Sequence, residues 1–215
     1  DVLGSRGLGD VYKRQGFKWI ANVMRENEGK KNYIGGGEES YGFLCEDFVR
    51  DKDAVSACVI LAEIAAWAKD QGLSLYQLLQ KIYVEYGFSK EKGISVVKKG
   101  KSGAEEIEAM MKKFRENPLT EIAGSKVTYF YDYSTLKGKD YAENETVTLD
   151  MPTTSNVLQY FTEDNTKVSI RPSGTEPKIK FYCEVHSKVK SIDELPEAEK
   201  AAEEKINQIK ASLGI

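Results

Sequence analysis

Apolar spacing divides the chain into two stretches of different character. From Ala54 to Asp70 the residues are apolar almost all round, with Val55, Cys58, Val59, Leu61, Ile64, Ala65, Trp67 and Ala68. A segment of that kind predicts a helix buried on all its faces. Asp53 is a good N-cap before it, and Gly72 a C-terminal stop after it. Ser74 and Gln77 form a capping-box pair. Behind them Leu75, Leu78, Leu79, Ile82, Tyr83 and Tyr86 recur at helical spacing, which predicts an amphipathic helix closed by Gly87. Upstream, Gly16 to Asn22 opens a short helix through Met24. Tyr33-Ile34 then lead into GGGEESYG, residues 35–42, which reads as a strand ending in a glycine loop at a sheet edge.

From Gly93 onward the pattern is mostly two-residue alternation. Gly93–Gly100 is a short strand candidate. Ser102 with Glu105 predicts a second capping box, and Ala104, Ile107, Met110, Met111 and Phe114 make one helical face that Pro118 ends. Val127–Tyr133, Thr146–Leu149, Val157–Thr162 and Lys167–Arg171 read as strands, with an Asp164-Asn165 turn. In Lys178–His186 the residues Ile179, Phe181, Cys183 and Val185 share one face and Lys178, Lys180, Tyr182, Glu184 and His186 the other, which predicts a half-solvated antiparallel strand. On that parity His186 faces solvent. Asp193–Leu213 predicts a last amphipathic helix, with Leu195, Ala202, Ile206, Ile209 and Leu213 on its apolar face.

The expected organisation is therefore residues 16–90 as the end of an α/β domain and residues 91–215 as a complete α+β domain, an antiparallel sheet with helices on one face. Residues 1–15, DVLGSRGLGDVYKRQ, read unlike the rest and resemble a translated sequencing-adapter tail. They are expected to be non-native and stay outside the fold argument.

Composition narrows the choice of partners. Of the 215 residues 40% are hydrophobic and 30% charged, an ordinary globular balance. Lys+Arg number 31 against 34 Asp+Glu, a net charge of −3, so no electrostatic argument favours nucleic acid or an anionic membrane as partner. The longest apolar stretch, Ala54–Ala68, is too short to span a bilayer, which takes roughly 18 apolar residues. Cys45, Cys58 and Cys183 form no CxxC pair, and a reducing cytoplasmic setting fits them. The single His186 excludes chemistry that needs two histidines from this chain.

The sharpest chemical signal is RPSGTEP, residues 171–177, between two strand candidates. Arg171 offers a fork of N–H donors matched to phosphate oxygens. Ser173 and Thr175 add hydroxyls. Gly174 permits close backbone approach and a positive φ, and Pro172 and Pro177 stiffen both ends.

RPSGTEPKIKFY resembles the C-terminal phosphate-binding loop of the α-D-phosphohexomutase superfamily, the phosphoglucomutases and phosphomannomutases. GGGEESYG resembles that family's Glu-x-Ser sugar loop in its third domain, and GFKWI, residues 16–20, is similar to the substrate-facing segment before it. The three motifs stand in family order, and the GEESYG form looks more like the phosphoglucomutase side. The resemblance implies that Glu38 and Ser40 bind sugar hydroxyls and that Lys18 lies near substrate. It implies that Arg171, Ser173, Gly174 and Thr175 hold the non-reacting phosphate.

The family's phosphoserine loop and its three-aspartate Mg²⁺ loop have no counterpart here. The chain is thus expected to be the C-terminal part of a mutase, domain three's end plus domain four, without catalytic or metal-binding residues of its own and inactive alone. In the parent enzyme the resemblance implies Mg²⁺, glucose 1,6-bisphosphate, a hexose phosphate substrate and the remaining N-terminal domains as partners. The competing expectation is a stand-alone sugar-phosphate or anion-binding module without catalysis.

Overall fold

The structure, a computed structural model, describes residues 17–37, 42–98, 100–151, 153–174 and 176–215, apart from the side chains of Lys18, Trp19 and Lys101. Residues 1–15, set aside above, lie outside the described part. The chain forms two compact units, Asp1–Leu79 and Gln80–Ile215.

In the first unit, α1 (Phe17–Glu26) lies beside an antiparallel pair, β1 (Gly35–Gly37) and β2 (Phe43–Cys45). The glycine cluster thus forms a strand instead of ending one. The reason is space: a Cβ on Gly36 would stand 2.6 Å from the Tyr33 hydroxyl and 3.0 Å from Ile20 Cγ2. Phe17, Met24 and Leu44 make a small core there, with Ile20 and Tyr33 against it.

α2 (Ala54–Asp70) and α3 (Leu75–Tyr86) occupy the predicted ranges, and their caps form as read. Asp53 accepts from the Ser56 amide at 2.7 Å. The Ser74 amide donates to Gln77 Oε1 at 2.8 Å, and the Gln77 amide donates back to Ser74 Oγ at 3.2 Å. The expectation of an all-round buried α2 fails. Only Ala68 is buried along it, and Val55 is 73% and Trp67 55% exposed. The sole sheet among the described residues of this unit is the two-stranded pair, too small to cover a 17-residue helix on every side.

The second unit is built on one antiparallel sheet. Its strands are β3 (Phe88–Val97), β4 (Glu121–Ile122), β5 (Ser125–Asp132), β6 (Lys137–Asp140), β7 (Glu145–Thr148), β8 (Leu158–Thr162), β9 (Lys167–Pro172) and β10 (Lys178–Ser187). The spatial order is β3-β10-β9-β8-β5-β6-β7, with β4 paired to β5. β3 is longer than read and starts earlier, because all ten of its residues pair with β10. β6 was not foreseen. Its KGKD sequence carries no apolar alternation, and it is placed by pairing with β5 and β7.

One face of this sheet is apolar and carries two helices, α4 (Gly100–Glu116) and α5 (Leu195–Leu213), the latter entered through a 3₁₀ turn at Ile192–Glu194. Ile107, Met111 and Phe114 of α4 and the five foreseen residues of α5 are buried against Leu158, Tyr160, Val168, Ile170, Ile179 and Phe181. Each of the larger aliphatic and aromatic side chains among them contributes roughly 1.5–3 kcal/mol of burial. Ser102 does not cap α4, which begins two residues earlier at Gly100. That first turn packs against the residue after β3: a Cβ on Gly103 would collide with the Lys98 carbonyl oxygen.

Candidate functional site

RPSGTEP is the connection from β9 to β10, so both of its ends are fixed by the central strands of the sheet. The Ser173 amide donates to the Lys178 carbonyl at 2.8 Å, and the Lys178 amide donates to the Glu176 carbonyl at 2.7 Å. The Lys98 amide donates to the Pro177 carbonyl at 2.9 Å, which ties the turn to the end of β3. The Ser173 amide is therefore consumed within the turn. Gly174 has no positive φ, and a Cβ there would meet nothing within 4 Å. The turn's own geometry does not demand glycine at that position.

Strand register sets the electrostatics. Arg171 stands directly opposite Lys180, with Ser95 on Lys180's other side. Lys178 lies two residues along the same face. Like charges directly opposite one another repel, so this end of the non-helical sheet face concentrates positive charge. Its one counter-charge in the turn is Glu176, whose carboxylate lies 2.5 Å from Lys178 Nζ. The Lys178 hydrogen bond, then the charges of Lys178 and Lys180, hold the Glu176 carboxyl below the usual carboxylate range.

Farther down that face, Glu184, expected on the solvated side of its strand, is buried. It is 4% exposed and its strand neighbour Lys167 5%, and their ion pair measures 3.2 Å. His186 Nε2 lies 2.8 Å from Glu184 Oε1, so His186 is half-buried and bonded where solvent was expected. Between the two charged zones, Tyr133 Oη donates to Gln159 Oε1 at 2.8 Å and Gln159 Nε2 donates to Ser169 Oγ at 3.0 Å. Alternation of Lys167, Ser169 and Arg171 with Val168 and Ile170 was the available signal for this polar row. On the helical side, Arg115 donates to Asp132 at 2.9 Å and to Asn156 at 2.9 Å, and with Met111 it lines a cleft that reaches Pro172 and Ser173.

Of the residues singled out in the sequence, the turn brings Arg171, Ser173 and Gly174 together, and Thr175 lies outside the described residues. Glu38 and Ser40 also lie outside them, in the stretch between the register partners Gly37 and Phe43. Lys18 is on α1, with its side chain outside the described set. Among the described residues no group of three or more His, Cys, Asp or Glu side chains could hold a metal ion. No helix among them is long and apolar enough to cross a membrane.

Two family models match the chain. Domain III of phosphoglucomutase/phosphomannomutase, an alpha/beta/alpha domain, matches residues 1–86, and the C-terminal domain of the same proteins matches residues 95–202. The chain belongs to the phosphoglucomutase/phosphomannomutase family. Among its relatives, a phosphoglucomutase of Staphylococcus haemolyticus is 38% identical over 171 residues, covering 80% of the chain and 31% of the relative. A phosphoglucomutase of Staphylococcus aureus is 40% identical over 167 residues, covering 78% and 30%. The chain thus spans about a third of the length of the curated relatives it matches. In fold it is similar to the open form of parafusin, a phosphoglucomutase from Paramecium, with TM-score 0.51, 19% identity, and coverage of 82% of this chain and 29% of that one.

Proposed function

We infer that this chain is the substrate-holding C-terminal part of a phosphoglucomutase-like phosphohexomutase. In that reading the whole enzyme interconverts hexose 1-phosphate and 6-phosphate through a bisphosphorylated sugar in the cytoplasm. The β9–β10 turn binds the phosphate that is not reacting: Arg171 as the bidentate donor, Ser173 and Thr175 through their hydroxyls, and Gly174 giving room for close approach. Glu38, Ser40 and Lys18 bind the sugar. Because the intermediate must turn end for end between half-reactions, one phosphate turn and one sugar loop that accept either orientation suit the chemistry. The phosphorylated serine and the Mg²⁺ belong to the remainder of the enzyme, so this part is inactive alone.

The observation that carries the reading is the register pairing of Arg171 with Lys180 at the mouth of RPSGTEP, two cations facing one another on one sheet face. Such a pair is unfavourable until an anion joins it. The apolar surface of α2, with Val55, Val59, Leu61 and Trp67 exposed, supports the presence of further domains that cover it. Calorimetric titration of the chain with glucose 6-phosphate tests the reading. Wild type is expected to bind weakly and Arg171→Ala to lose binding; equal affinities overturn the phosphate assignment.

A further inference from the structure

The β9–β10 turn carries a carboxylate that a simple anion cradle does not need. Glu176 is exposed, yet its Oε2 lies 2.5 Å from Lys178 Nζ, a charge-assisted hydrogen bond within the turn itself. Lys178 is the next residue of β10 on the face that carries Lys180, which stands opposite Arg171. Lys178 is only 25% exposed along its side chain, so the pair is partly sheltered from solvent screening. Of the three cations at this end of the face, the one that directly follows the turn in sequence is thus already paired with a carboxylate of the turn. Arg171 and Lys180 face each other across the strands, and Lys180 adds its field to that of Lys178 in keeping Glu176 ionised.

We propose that Glu176 is a positioning residue that acts through Lys178: its carboxylate holds the lysine within the turn and is displaced from it by an incoming phosphate. This rests on the reading of the turn as the phosphate site. Lys178 exchanges one anionic partner for another, and no bond is made or broken. The carboxylate lowers affinity in two ways, by occupying the Lys178 ammonium and by repelling the phosphate. The consequence is a site that binds its phosphate weakly and lets it go readily. A phosphorylated intermediate that must leave the turn and re-enter by its other end requires that weakness.

The test uses the whole chain, with inorganic phosphate as the probe, by calorimetric titration at neutral pH and low ionic strength. Removing one unit charge at contact with the site should tighten binding roughly three- to tenfold in Glu176→Gln. In a Lys178→Met background the gain from Glu176→Gln should fall to less than half, because the lysine it would release is gone. Unchanged or weaker binding by Glu176→Gln overturns the proposal. An undiminished gain without Lys178 also overturns it, since Glu176 would then act on the phosphate alone. Phosphate binding by wild type that is lost in Arg171→Ala, with Glu176→Gln identical to wild type, removes this inference and leaves the phosphate site standing. Absence of phosphate binding by wild type removes both.

Discussion

Replacing Lys167 with Met probes the polar face of the large sheet where it is most sensitive. Lys167 and Glu184 are 5% and 4% exposed and 3.2 Å apart, and His186 Nε2 lies 2.8 Å from the same carboxylate. Met keeps the length of the lysine stem and removes the charge. Breaking a buried ion pair by deleting one partner costs about 3–5 kcal/mol, because the other charge stays desolvated. His186 remains beside Glu184, so the expected loss here is about 2–4 kcal/mol at pH 7. With a urea slope of about 1–3 kcal/mol per molar, the unfolding midpoint should fall by roughly 1–2 M. Far-UV circular dichroism is the right probe, since the two tryptophans, Trp19 and Trp67, lie in the other unit. The pH dependence gives a second signature. Burial pushes the Glu184 carboxyl up, but the His186 hydrogen bond and the Lys167 charge outweigh it and hold it below its ordinary 4.5. A depressed carboxylate contributes stability that is present above its unfolded pKa and lost as pH falls through the folded one. Without Lys167 the balance shifts towards burial and the folded pKa rises. The variant's deficit should therefore narrow as pH falls from 7 towards 4.5 and Glu184 takes up a proton. Lys167→Met/Glu184→Leu should recover most of the loss, because a packed apolar pair replaces the charges. A single variant within about 0.5 kcal/mol of wild type, the range of an ordinary surface substitution, would refute the reasoning, as would a deficit that acidification leaves unchanged.

Three further outcomes follow from the same structure. Gly138→Ala should lower stability by about 1–3 kcal/mol in thermal unfolding, since the new Cβ would lie within 3.0 Å of the Phe130 carbonyl oxygen and closer still to the Tyr131 ring. Ile206→Ala, at a fully buried position on α5, should cost about 2–5 kcal/mol in denaturant unfolding. The chain alone should show no mutase turnover with Mg²⁺ and glucose 1,6-bisphosphate in a coupled assay for glucose 6-phosphate, and measurable turnover would contradict the assignment of chemistry to the rest of the enzyme.

The helices and the strands that alternate strongly were legible because one face of each meets a single apolar layer. Thus Ile179, Phe181, Cys183 and Val185, and Leu195, Ala202, Ile206, Ile209 and Leu213, are buried as their spacing requires. Strands placed by their neighbours alone were not legible. Lys137–Asp140 has no pattern of its own, and Gly35–Gly37 reads as the start of a glycine loop until Tyr33 and Ile20 are seen against Gly36. The buried polarity of Glu184, Lys167 and Gln159 was hidden for a related reason. Alternation tells which face a side chain takes, but not whether that face is dry. At the candidate site the motif was plain in sequence, but the pairing of Arg171 with Lys180 depends on strand register, and the hold of Glu176 on Lys178 on the fold of the turn. In α2 the sequence pattern requires more cover than the first unit's described residues supply, which is why a helix read as buried is exposed.

The central claim is that the β9–β10 turn is where this chain holds a phosphate. Backbone amide chemical-shift mapping during titration with glucose 6-phosphate tests it most directly. The account predicts that the shifts that move most belong to Arg171–Lys180 and to their register neighbours on β3, with the same turn responding to inorganic phosphate. Shifts confined to the opposite end of the sheet, around His186 and Lys205, would contradict it.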